Sequence, residues 1–363
     1  MRYIVISLCL LSVVLFSPTV GRAEPSVSAN NAVLMEQSSG RVLLEKKAHD
    51  KQPIASITKI MTAIIAIESG KLNETVTVSK RAVYTIGSSI YLEQGEKIKL
   101  KDLVYGLMLR SGNDAAVAIS EHVGGSMEGF THLMNQKARW LGMTNTSFDN
   151  PHGLDSENHY STAYDMALLM RYAMENEQFR QVTKSKTYKP DSAYTWQNKN
   201  KLLTQFYEYC IGGKTGYTKL AGRTLATAAE KNEMRLIAVT LDAPDDWRDH
   251  IGMYEWGYKN YNMTTIGTQG KVNYNIAKPD TTVRGYLHDD IKLPLNQSEQ
   301  KKIKSKTFIL NNASTSAKEI IGKTIYYIKS VPVLEAPIYS EKRQKENFLA
   351  EIVSVYQRII GIN

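Results

Sequence analysis

The period of the apolar positions changes several times along the chain, and each change marks an element. Residues 32–36 and 41–45 read as two strands joined by Gln37-Ser38-Ser39-Gly40. Pro53 then opens a helical run over 54–68, which stops at Ser69-Gly70. Residues 100–106 lead through the apolar stretch 107–109 to Ser111-Gly112-Asn113, and a helix follows over 114–122. A second amphipathic helix is predicted over 127–141, closed by Gly142. Asn150-Pro151-His152-Gly153 reads as a loop. Thr162, with Asp165 three residues on, resembles a capping box and opens a helix running through Met174.

After Lys201 the pattern turns to strands, over 215–218, 223–230 and 234–241. Lys231-Asn232-Glu233 is the tight turn between the last two, and 247–258 returns to helical spacing. Helices bracketed by strands predict an α/β (α+β) body with an antiparallel sheet. From about Thr264, short alternations such as Val272, Tyr274 and Ile276 predict a small all-β domain. Phe348, Leu349, Ile352, Val353, Tyr356, Ile359 and Ile360 then recur at intervals of three and four. With Lys342, Arg343, Lys345 and Arg358 beside them, they predict an amphipathic helix over 346–360 lying on a membrane surface.

The chain opens with Arg2, an apolar run over 4–16 and Gly21-Arg22-Ala23. This is the pattern of a secretory signal peptide cut between Ala23 and Glu24. The run is shorter than the ~20 residues of a spanning helix, which favours cleavage over a retained anchor. The predicted organisation is a signal peptide (1–23), a catalytic domain (24–263), a small β-rich domain (264–340) and the membrane-surface helix (341–363).

Composition narrows the classes. The 363 residues are 42% hydrophobic and 22% charged, which excludes disorder, collagen and coiled coil as the dominant form. Two cysteines, Cys9 and Cys210, exclude a disulfide scaffold, and removal of the signal leaves Cys210 as a small packing residue. Net charge is +9, and residues 264–363 hold 12 lysines and 3 arginines against 9 acidic residues. That basic end is either a solvated surface or one attracted to an anionic envelope.

Three short motifs carry chemistry. Ser56-Ile57-Thr58-Lys59 places a hydroxyl and an amine on one helical face. A serine needs a neighbouring base to act as nucleophile, and a lysine serves once burial and nearby cations lower its pKa. The helix N-terminus adds backbone N–H groups where an oxyanion forms. Ser111-Gly112-Asn113 offers a second hydroxyl to relay a proton and an amide to grip a peptide group. In Lys214-Thr215-Gly216, Lys214 and Thr215 can hold a terminal carboxylate, while Gly216 lets an extended substrate come close. Each motif alone is common. His152 and His159 lack a carboxylate cluster and read as hydrogen-bonding loop residues, so no metal or other cofactor is expected.

Together and in order, S-x-x-K, S-x-N and K-T-G resemble the signature of penicillin-binding proteins and class A β-lactamases, with glycine for aspartate in the second motif. The stretches A-S-I-T-K-I-M-T-A, L-R-S-G-N-D-A-A-V-A, N-P-H-G-L-D, H-Y-S-T-A-Y-D-M-A and G-G-K-T-G-Y-T-K-L-A resemble the serine D-alanyl-D-alanine carboxypeptidases of peptidase S11 type, the low-molecular-weight penicillin-binding proteins. L-K-D-L-V-Y-G-L-M-L-R-S-G-N-D-A-A and N-K-N-K-L-L look like the sporulation-specific enzyme of endospore-forming bacteria. The resemblance implies Ser56 as acylated nucleophile, Lys59 as general base and Ser111 as proton shuttle. It implies substrate binding by Asn113, Lys214, Thr215 and Gly216, and an oxyanion hole from the backbone N–H groups of Ser56 and Tyr217. Lys199 stands where relatives often have arginine, which removes a bidentate fork.

The implied partners are peptidoglycan stem pentapeptides ending in D-Ala-D-Ala, β-lactams as covalent inhibitors and the membrane surface, with no nucleic acid. The implied location is outside the cytoplasmic membrane, at the forespore envelope for a sporulation enzyme. A class A β-lactamase would carry E-x-x-L-N, which residues 148–159 lack. A non-catalytic penicillin sensor would have lost a member of the trio. Carboxypeptidase and transpeptidase outcomes both follow from the same acyl-enzyme.

Overall fold

The computed structural model describes residues 24–191, 194–275, 282–310 and 320–340. The expected signal peptide and C-terminal helix lie outside the described residues. The described residues divide into two compact units, one of residues 24–35 with 42–260, the other of residues 36–41 with those described between 261 and 340. The longer segment of the second unit begins at Tyr261, where the sequence pattern places a change at 264. No sequence signal assigns the Glu36–Arg41 turn to the second unit.

In the first unit, strands β1 (Asn31–Glu36), β2 (Val42–Lys46), β3 (Cys210–Thr218), β4 (Gly222–Lys231) and β5 (Met234–Leu241) form one sheet in the order β2-β1-β5-β4-β3. The N-terminal hairpin thus sits beside the last strands of the unit. The β1–β2, β3–β4 and β4–β5 pairs are antiparallel, as the pattern predicts. The β4–β5 turn holds Asn232 and Glu233 at φ 52° and 62°, the left-handed pair that a two-residue hairpin requires.

Helices in this unit are α1 (Lys59–Glu68), α2 (Leu100–Tyr105), α3 (Asn113–Gly124), α4 (Met127–Trp140), α5 (Ala163–Ala173), α6 (Glu177–Lys184) and α7 (Asp246–Asn260). Every residue of α1 from Lys59 to Ile67 is buried. A helix apolar on all sides belongs in the middle of a core. Alternation along β4 separates two faces. Ala226 and Ala228 join the core around α1 and α5. Thr227 between them turns the other way and bonds His250 and Tyr254 of α7, each at 2.7 Å.

Two local expectations change. Residues 55–58 form a tighter 3₁₀ turn rather than the first turn of α1. Thr162 caps α5 by accepting from Asp165 N at 3.0 Å. The Asp165 carboxylate does not reach back, because Asn145 N and Thr146 Oγ1 occupy it at 2.8 and 2.7 Å.

The second unit is β-rich. Strands β6 (Asn262–Gly267) and β9 (Ile291–Leu295) pair with each other. Strands β7 (Gly270–Asn275), β8 (Thr282–Leu287), β10 (Ile303–Ile309), β11 (Ile320–Ile328) and β12 (Val331–Tyr339) form a sheet in the order β7-β8-β12-β11-β10. Leu293, Leu295 and Ile328 are the centre of one core cluster there. Among the described residues, no helix is long and apolar enough to cross a membrane.

Candidate active site

Ser56 sits in the 3₁₀ turn that precedes α1. A 3₁₀ turn has about three residues per turn, so positions i and i+3 lie directly above one another. Lys59 Nζ accordingly lies 3.0 Å from Ser56 Oγ. The residue before the nucleophile, Ala55, is held at φ 48°, in the left-handed region. Such a backbone costs on the order of 1–3 kcal/mol and persists only where neighbours enforce it. Thr58 Oγ1 donates to the Ala55 carbonyl at 2.7 Å, and Gly153 makes room for it: a Cβ there would lie 2.0 Å from that oxygen.

Lys59 is wholly buried and has three polar contacts. Two are with acceptors that hold no proton to give, Asn113 Oδ1 at 2.7 Å and the His152 carbonyl at 2.6 Å. The third is Ser56 Oγ. A neutral amine has two protons and one lone pair. With both protons committed to Asn113 and His152, the lone pair is left facing the Ser56 hydroxyl. Burial first, then the charges of Lys214 and Lys199, hold Lys59 well below the ordinary lysine range; Asp114 pulls weakly the other way. The site therefore disfavours the charged form of this amine.

Ser111 follows a π-type turn, Gly106–Arg110, and is itself left-handed at φ 66° and buried. It directs the chain into α3, which starts at Asn113. Besides holding Lys59, the Asn113 amide donates to the Ile86 carbonyl at 2.6 Å. One of its protons and one lone pair remain for a substrate peptide group. Asp114 organises the facing loop, accepting from Ser89 Oγ at 2.5 Å and from the backbone of Ile90 and Leu92. Neither Asp114 nor the 86–92 loop stands out in the sequence. The signal available there is the acidic residue directly after S-G-N.

Strand β3 closes the site from the edge of its sheet. Gly213 N donates to Thr183 Oγ1 at 2.8 Å and Gly213 O accepts from it at 3.1 Å, so this residue's backbone faces away from β4. In an antiparallel edge strand every second residue does the same. Thr215 and Tyr217 share that parity, and the outward Thr215 carbonyl accepts from Lys214 Nζ at 2.7 Å. The Tyr217 N–H is next along the open edge. Gly216 lies against the nucleophile turn: a Cβ there would meet Ser56 N at 2.8 Å and Thr224 Oγ1 at 2.4 Å. Both oxyanion donors expected from the sequence, Ser56 N and Tyr217 N, thus flank one contact.

Lys214 is buried, and burial, then the Lys199 charge, bring its pKa down to about 7. Lys199 is exposed, with Nζ 3.5 Å from Ser88 Oγ. Lys199 is itself lowered by partial desolvation and the Arg110 charge, so the cleft is lined by cations whose charged forms are disfavoured. Cys210 is buried, its pKa pushed up to about 12 by burial, and its thiol points to the Gly212 carbonyl at 3.7 Å. His152 contributes its carbonyl to Lys59, and His159 Nε2 contacts Thr58 Oγ1 at 2.7 Å. Among the described residues, no group of histidine, cysteine and carboxylate side chains is arranged to hold a metal.

The family model for Peptidase S11, D-alanyl-D-alanine carboxypeptidase, matches residues 19–245. D-alanyl-D-alanine carboxypeptidase DacF of Bacillus subtilis (strain 168) is 40% identical over 232 residues, covering 61% of this chain and 59% of that relative. DacC of Escherichia coli (strain K12) is 38% identical over 279 residues, 69% of this chain and 68% of its own length. The solved structure of penicillin binding protein 5 from Haemophilus influenzae is similar with a TM-score of 0.76, at 27% identity over 88% of this chain and 98% of that one. The mixed α/β fold with antiparallel sheets is the one that the sequence resemblance implies.

Proposed function

The chain belongs to the D-alanyl-D-alanine carboxypeptidase family, peptidase S11, and on that premise we propose that it removes the terminal D-alanine from peptidoglycan pentapeptides through an acyl-enzyme on Ser56. The observation that carries this reading is the Lys59 amine, whose two acceptor partners leave its lone pair facing Ser56 Oγ at 3.0 Å.

Lys59 takes the hydroxyl proton as Ser56 Oγ bonds to the carbonyl carbon of the penultimate D-Ala. The Ser56 and Tyr217 N–H groups receive the developing oxyanion. Ser111 relays that proton from Lys59 to the leaving nitrogen, the C–N bond breaks, and D-Ala departs. Water then attacks the ester, Lys59 takes one of its protons, and that proton goes to Ser56 Oγ as the acyl–oxygen bond breaks. Lys214, Thr215 and Lys199 hold the substrate carboxylate, Asn113 holds its peptide group, and the open edge of β3 takes its backbone. β-Lactams acylate the same hydroxyl.

The test is incubation with a D-Ala-D-Ala pentapeptide, scoring free D-Ala against cross-linked product, with intact-mass detection of a penicillin adduct. Free D-Ala and an adduct absent from Ser56→Ala support the reading. An equal adduct on the alanine variant refutes it.

The leader-like residues 1–23 and the amphipathic pattern over 346–360 support export and attachment to the outer face of the cytoplasmic membrane. Vesicle flotation of the full chain against one ending before Glu341 tests the attachment. The runs shared in appearance with the sporulation-specific enzyme support the forespore envelope as its place of work. Cortex muropeptides that are unchanged in a deletion strain would count against that.

A further inference from the structure

Lys301, Lys302, Lys304, Lys306 and Lys329, with Tyr327, line one hollow of about 760 Å³ in the β-rich unit. Strand geometry puts them together. Side chains two residues apart emerge on the same face of β10, so Lys304 and Lys306 project together, roughly 6.6 Å apart. The register sets Lys304 opposite Tyr327 of β11. Lys329 and Ser330, at φ 49° and 70°, make the tight turn into β12, and because Ile328 pairs with Ile303 this turn sets Lys329 beside the start of β10. Lys301 and Lys302 leave the helical turn Gln297–Gln300, where Lys302 N bonds the Glu299 carbonyl at 2.8 Å.

Among the described residues, no acidic side chain lines the hollow. Among the same residues, none of the five lysines has a carboxylate within ion-pair distance, whereas Lys323 of the same sheet pairs with Glu335 at 2.8 Å. Glu299, the acidic residue nearest in sequence, is occupied: it binds Arg41 at 2.6 Å and caps its own turn through Asn296 N at 3.0 Å. Five like charges around one concavity repel one another and hold it at positive potential. An anion inside relieves that repulsion.

We propose that this hollow binds an anionic polymer, a linear chain of repeating phosphate groups, independently of the catalytic cleft. The volume exceeds what one phosphate fills, and the cations recur along β10 and at the turn beside it. A linear polyanion can follow that arrangement. A bilayer surface reaches only the rim of a concave site. Lysine offers point charges without the planar fork of arginine, so the site reads charge density rather than one headgroup geometry. Binding should weaken steeply with salt.

The test uses the full chain and labelled long-chain polyphosphate, followed by fluorescence anisotropy. The expected result is salt-sensitive binding that falls at least ~10-fold in the variant Lys302→Glu/Lys304→Glu/Lys306→Glu, as loss of several phosphate contacts requires. Lys329→Glu, in the neighbouring turn, should weaken binding as well, and Lys323→Ala should leave it unchanged. Penicillin acylation at Ser56 should be the same in every variant, which separates this result from the fate of the catalytic reading. Polymer binding equal to wild type in both glutamate variants overturns the proposal. So does orthophosphate competing as well as polymer at equal phosphate, or binding seen only with phosphatidylglycerol vesicles.

Discussion

His159 and Thr58 are joined by a 2.7 Å hydrogen bond whose far end is the nucleophile turn. Asp149 N donates to His159 Nδ1 at 3.0 Å, so the ring proton sits on Nε2 and goes to Thr58 Oγ1. Thr58 in turn donates to the Ala55 carbonyl at 2.7 Å. Burial pushes His159 down to about 4, which keeps the ring neutral and this direction fixed. The left-handed Ala55, and with it Ser56, is held from behind by a chain that never meets substrate.

Breaking that chain should slow acylation without weakening substrate capture. Thr58→Val keeps the volume and removes the hydroxyl. A shift of ~1 Å in the nucleophile costs up to about 100-fold. Stopped-flow penicillin acylation should show the rate falling while the KM for peptide changes little. Thr58→Ser should rescue it, and so should His159→Gln in part, since its amide N–H reaches the Nε2 position. A normal acylation rate in folded Thr58→Val would refute the positioning role.

Lys59→Arg tests the base more sharply than alanine does. Arginine retains positive charge and can still donate to Asn113 and His152, but it does not become neutral. Acylation should fall by ~100-fold or more, the scale of a lost general base. Acylation retained in the Lys59→Arg variant would mean that the position supplies charge rather than a lone pair.

Gly216→Ala adds a Cβ where backbone is already 2.8 Å away, at Ser56 N. The strand and the nucleophile turn must separate. The expected outcome is folded protein with a thermal midpoint within a few degrees of wild type and penicillin labelling reduced at least ~10-fold. Unchanged labelling would show that the close approach is not needed.

Much of this site is legible in the sequence because its chemistry lies in short motifs. The apolar residues around Ser56 and Lys59 mark a buried turn, and K-T-G after two glycines marks a strand edge. Two things are less legible. Residues 55–58 follow helical periodicity, yet the turn packs its Ala55 carbonyl against Gly153, over ninety residues away in sequence, where a Cβ would leave no room. Likewise, the His152 carbonyl that orients Lys59 belongs to a backbone group, which no residue type announces. Helix α6 does carry a local signal, the Asn176 cap on Phe179 N at 3.1 Å with Phe179 and Val182 at helical spacing, whereas the placing of the Glu36–Arg41 turn depends on tertiary contacts.

The pH profile of kcat/KM should be bell-shaped, with its two limbs assigned to different lysines. Lys59 must be neutral to accept a proton, so activity falls on the acid side as it becomes charged. Lys214 must be charged to hold a carboxylate, so activity falls on the alkaline side as pH passes about 7. Bound carboxylate favours the charged form and raises that value in the complex. Hence the alkaline limb should appear in kcat/KM and move upward in kcat. Penicillin carries a carboxylate and should show both limbs; its methyl ester should lose the alkaline one. An alkaline limb that persists with the ester would exclude Lys214 as its source.

Acid should destabilise the catalytic unit before its carboxylates titrate. His152, His159 and His250 are buried, and burial brings them to about 3, about 4 and about 3. Unfolded histidines bind a proton below ~6.5. Between that value and the folded pKa values the unfolded chain holds more protons, so stability falls as pH falls through this window. Each histidine contributes a slope of ~1.4 kcal/mol per pH unit. Asp246, raised by its burial, acts in the opposite sense near the carboxylate range. Guanidinium midpoints measured between pH 7 and pH 5 should therefore drop with acidification. His250 bonds Thr227 and Thr240 and lies away from the nucleophile turn. His250→Gln keeps a polar partner there and should lower the slope by one histidine's share. A stability flat over this range, or a His250→Gln slope equal to wild type, would mean that these rings take up protons in the folded state.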